Sequence, residues 1–394
     1  MPQSSHPIRT RLARVLKFSA RVVLVLIGCA VAALILFEVY LRVTDQGPSR
    51  KVERGMPFLT GSDYYDYQPY MNFGEHPLLG NYPFVASKRG ELPKAKNGQE
   101  YRIFIFGGSV VQSEGLKESD GILKASDLFD PRGEWWAYFE DRLNAAKPPE
   151  LADVTFRVRS AGGAAYVTTN ELVKLVLMDI DQYQPDLIIF LDGYNDLFTV
   201  HAYGSPPGVD HIANGLMARA RWPVAYALYD LFADSLYSVA KTAEGILLLD
   251  MRSRTAEPPT PEAIGETMTE NYRKARVFAE AMGANFVVAL QPFAVLHQIP
   301  DNAPKDDSRF WEKYRQSDYA ATLDSVRAKL ASEEIRLLDY TALFDRPGGP
   351  GVATFYDSVH FYDNGYKFLV DVLFADEAPV IYADAARRAD SGGD

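Results

Sequence analysis

Cysteine is nearly absent from this chain: one residue, Cys29, in 394. No intramolecular disulfide can form, and no cysteine-based metal site exists. Histidine is scarce as well, with six residues at positions 6, 76, 201, 211, 297 and 360. No two of them stand in an H-x-H or H-x-x-x-H spacing, so neither a metal nor a cofactor is expected. Positive charge is also short. The formal net charge is −11, and no Lys/Arg block lies outside the N-terminus, which argues against a nucleic-acid partner. No internal repeat is visible. What the chain does have is apolar and aromatic side chains, 47% and 12% of residues, enough to bury a substantial core.

The N-terminus sets the expected topology. Arg9, Arg11, Arg14, Lys17 and Arg21 precede an uninterrupted apolar run from Val22 to Phe37. Glu38 breaks the run, and Val39, Tyr40 and Leu41 extend it before Arg42. About 20 residues cross a hydrocarbon core, so 22–41 is expected to be a transmembrane helix, with Glu38 near the far interface and within reach of water. The charge asymmetry places the basic segment 1–21 in the cytoplasm. The rest of the chain then faces the periplasm or the cell exterior, as a single-pass membrane protein. Two other readings stay open. The run could be a cleaved leader, although no small-x-small site closes it. Leu26-Ile-Gly-Cys29 also resembles a lipobox, although the apolar run continues well past Cys29.

Residues 44–100 are rich in Gly, Pro and Tyr without sustained periodicity, and are expected to form an irregular connecting segment. Their tyrosines suit packing, or stacking on sugar. From 101 onward, short apolar runs alternate with helical patterns, the pattern of a parallel α/β sheet. The expected strands are 103–106, 154–158, 186–191, 285–290 and 335–338. The expected helices are 135–143, 169–180, 270–282, 319–330 and 366–374. Strands this continuously apolar are buried on both faces. Two stretches break the alternation: 201–265, with helical patterns at 219–231 and 235–249, and 297–318. Both follow strand ends, where ligands bind in open α/β sheets, and are read as insertions bordering a site, as a lid or as surface elaboration. The low-complexity segment 376–394 is expected to be a flexible tail.

Four groups of chemically capable residues fall at strand ends. Gly107-Gly108-Ser109 closes the first strand. Ser160-Ala-Gly162-Gly163 follows the second, Asp192-Gly193-Tyr194-Asn195-Asp196 follows the third, and Asp357-Ser-Val-His360 lies near the C-terminus. A serine at a strand tip, where a helix begins, projects its hydroxyl out of the sheet beside backbone N–H groups that can receive an oxyanion. Serine needs an adjacent base, for which His360 is the candidate, with Asp357 to orient it. Taken singly, each group has a plainer reading: Ser109 as a helix cap, Asn195-Asp196 as a turn or cap, Gly162-Gly163 as a tight turn, Asp357 and His360 as a capping pair.

Together and in this order, the four groups resemble the blocks of the SGNH/GDSL hydrolase family over residues 101–375. The resemblance implies a flavodoxin-like α/β/α sandwich around a central parallel sheet, preceded here by the transmembrane helix. It also implies Ser109 as nucleophile, His360 as base and Asp357 as its orienting carboxylate. The oxyanion hole would be formed by the Ser109 and Gly162 amides and the Asn195 side chain. Three departures stand out: Gly108 replaces the usual Asp, Ser160 the usual Asn, and Ala165 the second glycine of its block. The implied activity is an ester hydrolase, an esterase or deacetylase acting through an acyl-enzyme. The membrane run and the aromatics Tyr194, Trp222 and Trp311 point to O-acylated carbohydrate outside the cytoplasm. An O-acyltransferase would use the same triad. A membrane-tethered carbohydrate-binding protein without turnover is the alternative of another class.

Overall fold

The computed structural model describes residues 6–44, 65–66, 74–75, 86–87, 90–112, 135–163, 165–177, 180–210, 213, 217, 220–232, 235, 237–252, 259–292, 294–297, 316–350, 354–355 and 359–391. The chain divides into two compact units, 1–55 with 215–250, and 56–214 with 251–394. The expected insertion at 201–265 therefore contributes its middle to a separate unit.

In the larger unit, five strands form one parallel sheet: β1 (Glu100–Gly107), β2 (Thr155–Ser160), β3 (Leu187–Asp192), β4 (Asn285–Leu290) and β5 (Leu337–Asp339). Their order is β2-β1-β3-β4-β5, the flavodoxin-like arrangement. Ile103 pairs with Val158 on one side and Leu187 on the other, and Leu187 pairs in turn with Asn285. The middle strands are buried almost throughout, as their unbroken apolar runs require: Ile103 to Phe106 and Val287 to Leu290 have no exposed surface.

Right-handed crossovers place the helices. The chain moves outward from β1 to β2, then returns past β1 to β3 and continues to β4 and β5. The helix between β1 and β2 (Trp135–Ala146) therefore lies on one face. The helices at Thr168–Leu177, Pro261–Ala281 and Gln316–Ser332 lie on the other. The packing agrees. The first of these meets the C-terminal helix (Asp363–Ser391), while Pro261–Ala281 meets both helices of its own face. The strand order reverses between β1 and β3. Open sheets of this order bind their ligands at that point, outside the carboxyl ends of the strands, the ends that carry Ser109 and Asn195.

Several boundaries move. The helix expected at 270–282 begins at Pro261, because Thr260 caps it by accepting the Ala263 N–H at 3.2 Å and proline suits the first helical turn. The stretch expected as a flexible tail is corrected most: residues through Ser391 continue one helix despite Pro379 within it. Ala378, Ile381 and Ala385 are buried. Asp384 accepts from Tyr101 Oη and Asn285 Nδ2, each at 2.8 Å, and Arg388 Nη2 donates to Gly283 O at 2.8 Å. An Ala-rich helix packs closely because its small side chains leave no gap, and composition alone does not reveal that it has a partner. Within 44–100, two ladders of two residues each pair Tyr65–Asp66 with Gly74–Glu75 and Ala86–Ser87 with Gly90–Glu91. Of the insertion expected at 297–318, residues 298–315, including Trp311, lie outside the described residues.

The entry into β1 is held by Arg102, which has no exposed surface. Its guanidinium donates to the carbonyls of Pro93, Lys94, Ala95 and Tyr183 at 2.8–2.9 Å and pairs with Glu100. Removing one partner of a buried pair leaves the other uncompensated, at roughly 3–5 kcal/mol. Arg102→Leu is therefore expected to lower unfolding stability by several kcal/mol, read from the midpoint of a urea titration.

In the smaller unit, the helix His6–Val43 contains a 22-residue stretch, Val22–Val43, long and apolar enough to cross a membrane and not buried by the protein. Two further helices, Pro223–Phe232 and Tyr237–Arg252, occupy the region where sequence periodicity places helices at 219–231 and 235–249.

Candidate active site

β1 ends in Gly107 and Gly108, and the short helix Ser109–Gln112 begins immediately. Both glycines are required by close approach. A Cβ on Gly107 would overlap Leu191 O and Val111, and one on Gly108 would overlap Asn195 Nδ2. The helix is tied down beneath the serine: Trp135 Nε1 and the Tyr366 hydroxyl donate to Val110 O at 2.9 and 3.3 Å, and Ser160 Oγ donates to Val111 O at 3.0 Å. The Trp135 and Tyr366 rings stack, so the two helices that share one face of the sheet brace this turn together.

His360 arrives from the other end of the chain. It precedes the helix Asp363–Ser391, in a segment closed by an antiparallel bridge between Phe355 and Phe361 and by Tyr362 N–H on Thr354 O at 2.8 Å. Phe344, Phe355 and Phe361 pack edge-to-face with centroids 5.2 Å apart. The buried His297 joins this cluster and accepts the Phe344 N–H through Nε2 at 3.2 Å, a structural role. So held, His360 Nε2 lies 2.6 Å from Ser109 Oγ across a separation of 251 residues. That geometry suits a neutral imidazole accepting the hydroxyl proton. Asp357 lies outside the described residues.

Asn195 sits in the first turn of the helix Tyr194–Tyr203, whose preceding Gly193 takes φ 124°, a conformation that favours glycine. Its Nδ2 donates to Tyr166 O at 2.8 Å while packing against Gly108, leaving one amide hydrogen of the pair for another acceptor. Gly162 is placed differently. Its N–H donates to Ser160 Oγ at 3.2 Å, its carbonyl accepts from Lys174 Nζ at 3.0 Å, and a Cβ there would meet Gln112 N at 2.6 Å. Ala165, standing where the family pattern has glycine, has φ 60°. The backbone keeps the left-handed turn without the residue that favours it. Tyr194 is buried and stacks on Phe198 at 5.2 Å, so its ring is committed to the interior, while Trp222 is exposed in the smaller unit.

Behind this turn lies a cluster whose role the sequence does not announce. Asp196 accepts the Thr168 N–H and hydroxyl at 3.0 and 2.8 Å. Tyr272 Oη donates to Asp192 at 3.4 Å, and Asp192 in turn accepts the Gly193 N–H. Glu171 is wholly buried close to both aspartates. Burial, and then repulsion from Asp192 and Asp196, hold the Glu171 carboxyl well above the usual range. Burial likewise raises Asp192, and pushes Asp196 up to about 6 against the Thr168 bonds that pull it down. Among the described residues neither Glu171 oxygen has a hydrogen-bond partner, so an ionised Glu171 would add an uncompensated buried charge beside two other carboxyls, and burial and repulsion keep it protonated. Asp192 and Asp196 flank Asn195 in the quoted block. Glu171 and Lys174, one helical turn apart, look from sequence like an exposed polar edge.

The sign of the pH effect follows. In the fold Glu171 holds its proton to higher pH than in the unfolded chain, where it titrates near 4.5. Its contribution to stability is complete below that value and drains away as pH rises through the folded value. Glu171→Gln keeps the shape of the side chain and removes the ionisation. It is expected to raise the melting temperature at pH 8 and leave it nearly unchanged at pH 4, as thermal melts at the two pH values would show.

No protein-family model and no curated protein matches the chain. Among solved structures it is similar to a lipase/acylhydrolase from Enterococcus faecalis, with 14% identity over 71% of this chain and 96% of that one and a TM-score of 0.37. It is also similar to a point variant of an acetyl-xylooligosaccharide esterase from Geobacillus, with 13% identity, 72% and 96% coverage and a TM-score of 0.39. A GDSL-like lipase from Bacteroides thetaiotaomicron shows 10% identity, 70% and 86% coverage and a TM-score of 0.34. At such identities no chemistry passes from those proteins to this one.

Proposed function

We propose that this chain is an ester hydrolase of the SGNH/GDSL type, with Ser109 as nucleophile and His360 as general base. The observation that carries the reading is the 2.6 Å approach of Ser109 Oγ to His360 Nε2 at the carboxyl edge of the sheet. Ser109 Oγ attacks the ester carbonyl carbon as His360 takes the hydroxyl proton, and the carbonyl π electrons move onto oxygen. The Ser109 amide and the free hydrogen of the Asn195 side chain are the donors for that oxyanion. The Gly162 amide joins them only when Ser160 Oγ releases it. Collapse of the tetrahedral species expels the alkoxide, which His360 protonates, and water deprotonated by His360 then cleaves the acyl-enzyme. Asp357 is the proposed partner of His360 on its other ring nitrogen.

The substrate proposed is O-acylated carbohydrate outside the cytoplasm. What supports it is the apolar Val22–Val43 helix behind a basic segment, read as a retained anchor with the site facing outward. The test is to incubate the full chain with p-nitrophenyl esters of increasing acyl length and with acetylated polysaccharides, measuring released acid. Release of acetate from the polysaccharide supports the reading. Acetyl transfer between sugars without net release would make the chain an acyltransferase. No turnover of any ester, together with no labelling of Ser109 by a fluorophosphonate, would leave a binding protein.

A further inference from the structure

Resting on the anchor reading of Val22–Val43, we propose that the helices Pro223–Phe232 and Tyr237–Arg252 form a second membrane contact, lying in the lipid interface beside the outer end of that anchor. Three contacts seat the start of Tyr237–Arg252 on the last turns of the apolar helix, beside an ion pair internal to that helix. Glu38 accepts the Ser238 N–H at 2.7 Å, so the carboxylate that interrupts the apolar run caps the start of the next helix. Arg42 pairs with Glu38 at 2.6 Å and donates to Ser235 O at 2.8 Å, with its guanidinium over the Tyr237 ring at 4.7 Å. Glu38 and Arg42 close the apolar stretch. Whatever they hold is therefore held where the helix leaves the hydrocarbon.

What they hold has an apolar outer face. On Pro223–Phe232, Val224, Leu228 and Leu231 recur at helical spacing and are exposed, Val224 and Leu231 at 72% and 70%, while Ala225 and Tyr229 on the adjoining face are buried. On Tyr237–Arg252, Leu249 is 68% exposed while Ala240, Ala243 and Leu247 are buried. Exposed leucines on one side of each helix are not core residues and would be a liability in water. A helix of 10 residues is too short to cross a bilayer and lies flat in the interface. Trp222, immediately before it, is half exposed beside the exposed Arg221, as a side chain at headgroup level requires. The occupant that fits is lipid, because the start of Tyr237–Arg252 is bonded to the end of Val22–Val43, whose own apolar surface the protein leaves bare.

The test uses the full chain, with Cys29→Ala, reconstituted in phosphatidylethanolamine/phosphatidylglycerol vesicles. Single cysteines at Leu228, Leu231 or Leu249 carry a nitroxide label, with Leu34→Cys inside the apolar helix and Asp324→Cys, exposed on a helix of the sheet-bearing unit, as references. Collision with dissolved oxygen is compared with collision with a water-soluble nickel chelate, and each variant is checked for an unchanged thermal melt. The expected oxygen-to-nickel ratio at 228, 231 and 249 is several-fold above that at 324 and approaches that at 34. Ratios equal to position 324, with position 34 still in lipid, overturn the proposal and leave the anchor standing. Low collision with both agents overturns it in favour of a protein surface, either a second copy or another part of the chain. A water-exposed position 34 removes the anchor and this proposal with it. Leu249, on the second helix, keeps the test decisive if a label on the first disturbs folding.

Discussion

Ser109→Ala is expected to eliminate ester hydrolysis while leaving the fold intact. The side chain is only partly buried at the start of a short helix, and the packing beneath it comes from Val110 and Val111 rather than from the hydroxyl. The loss should be at least about a thousandfold in kcat, because nucleophile and base act as a unit and removing either forfeits nearly all of their joint effect. His360→Ala should fall by a comparable factor, and the double variant should lose little more than either alone. That non-additivity separates a Ser–His couple from two independent packing residues. It is measured from initial rates on a p-nitrophenyl ester and from fluorophosphonate labelling of the full chain. Rates that survive in Ser109→Ala would mean that the 2.6 Å contact is a structural hydrogen bond.

The second large effect is expected at Asn195. Asn195→Asp keeps the shape of the side chain but replaces its amide donors with a carboxylate facing Tyr166 O and the developing oxyanion. Losing one oxyanion donor typically costs on the order of 100- to 1,000-fold in kcat, and an added negative charge pushes toward the upper end. KM should change far less, because the donor acts on charge that exists only in the transition state. Equal loss in kcat and stability, with KM rising in parallel, would assign Asn195 to holding the Tyr166 turn alone. Gly108→Ala probes the same point sterically. A Cβ there overlaps Asn195 Nδ2, so displacing that amide should lower kcat even though no polar group is removed.

The legibility of these features differs for physical reasons. β4 at Asn285–Leu290 coincides with the expected strand, because the five successive apolar residues after Asn285 form a short buried run between polar neighbours. The second half of the C-terminal helix, beyond the expected 366–374, reads as a tail because Ala, Asp and Arg in sequence say nothing of Tyr101, Asn285 and Gly283, which receive it. Glu171 and Lys174 are inconspicuous in the sequence because their helix is amphipathic in the ordinary way. Only the fold turns that polar edge inward, against Asp192 and the Gly162 carbonyl. The Gly162 amide, expected to face a substrate, is bonded to Ser160 Oγ, a partner two residues away that a motif cannot orient.

From its residues alone, this chain is committed to an apolar N-terminal helix and to a parallel α/β sheet with chemistry at the strand tips, because hydrophobic period and turn-forming glycines act locally. The meeting of Ser109 and His360, the carboxyl cluster behind Asn195 and the capping of a distant helix by Glu38 are decided only in three dimensions. Each joins groups far apart along the chain, and such contacts come from how crossovers stack layers rather than from the preferences of any one segment.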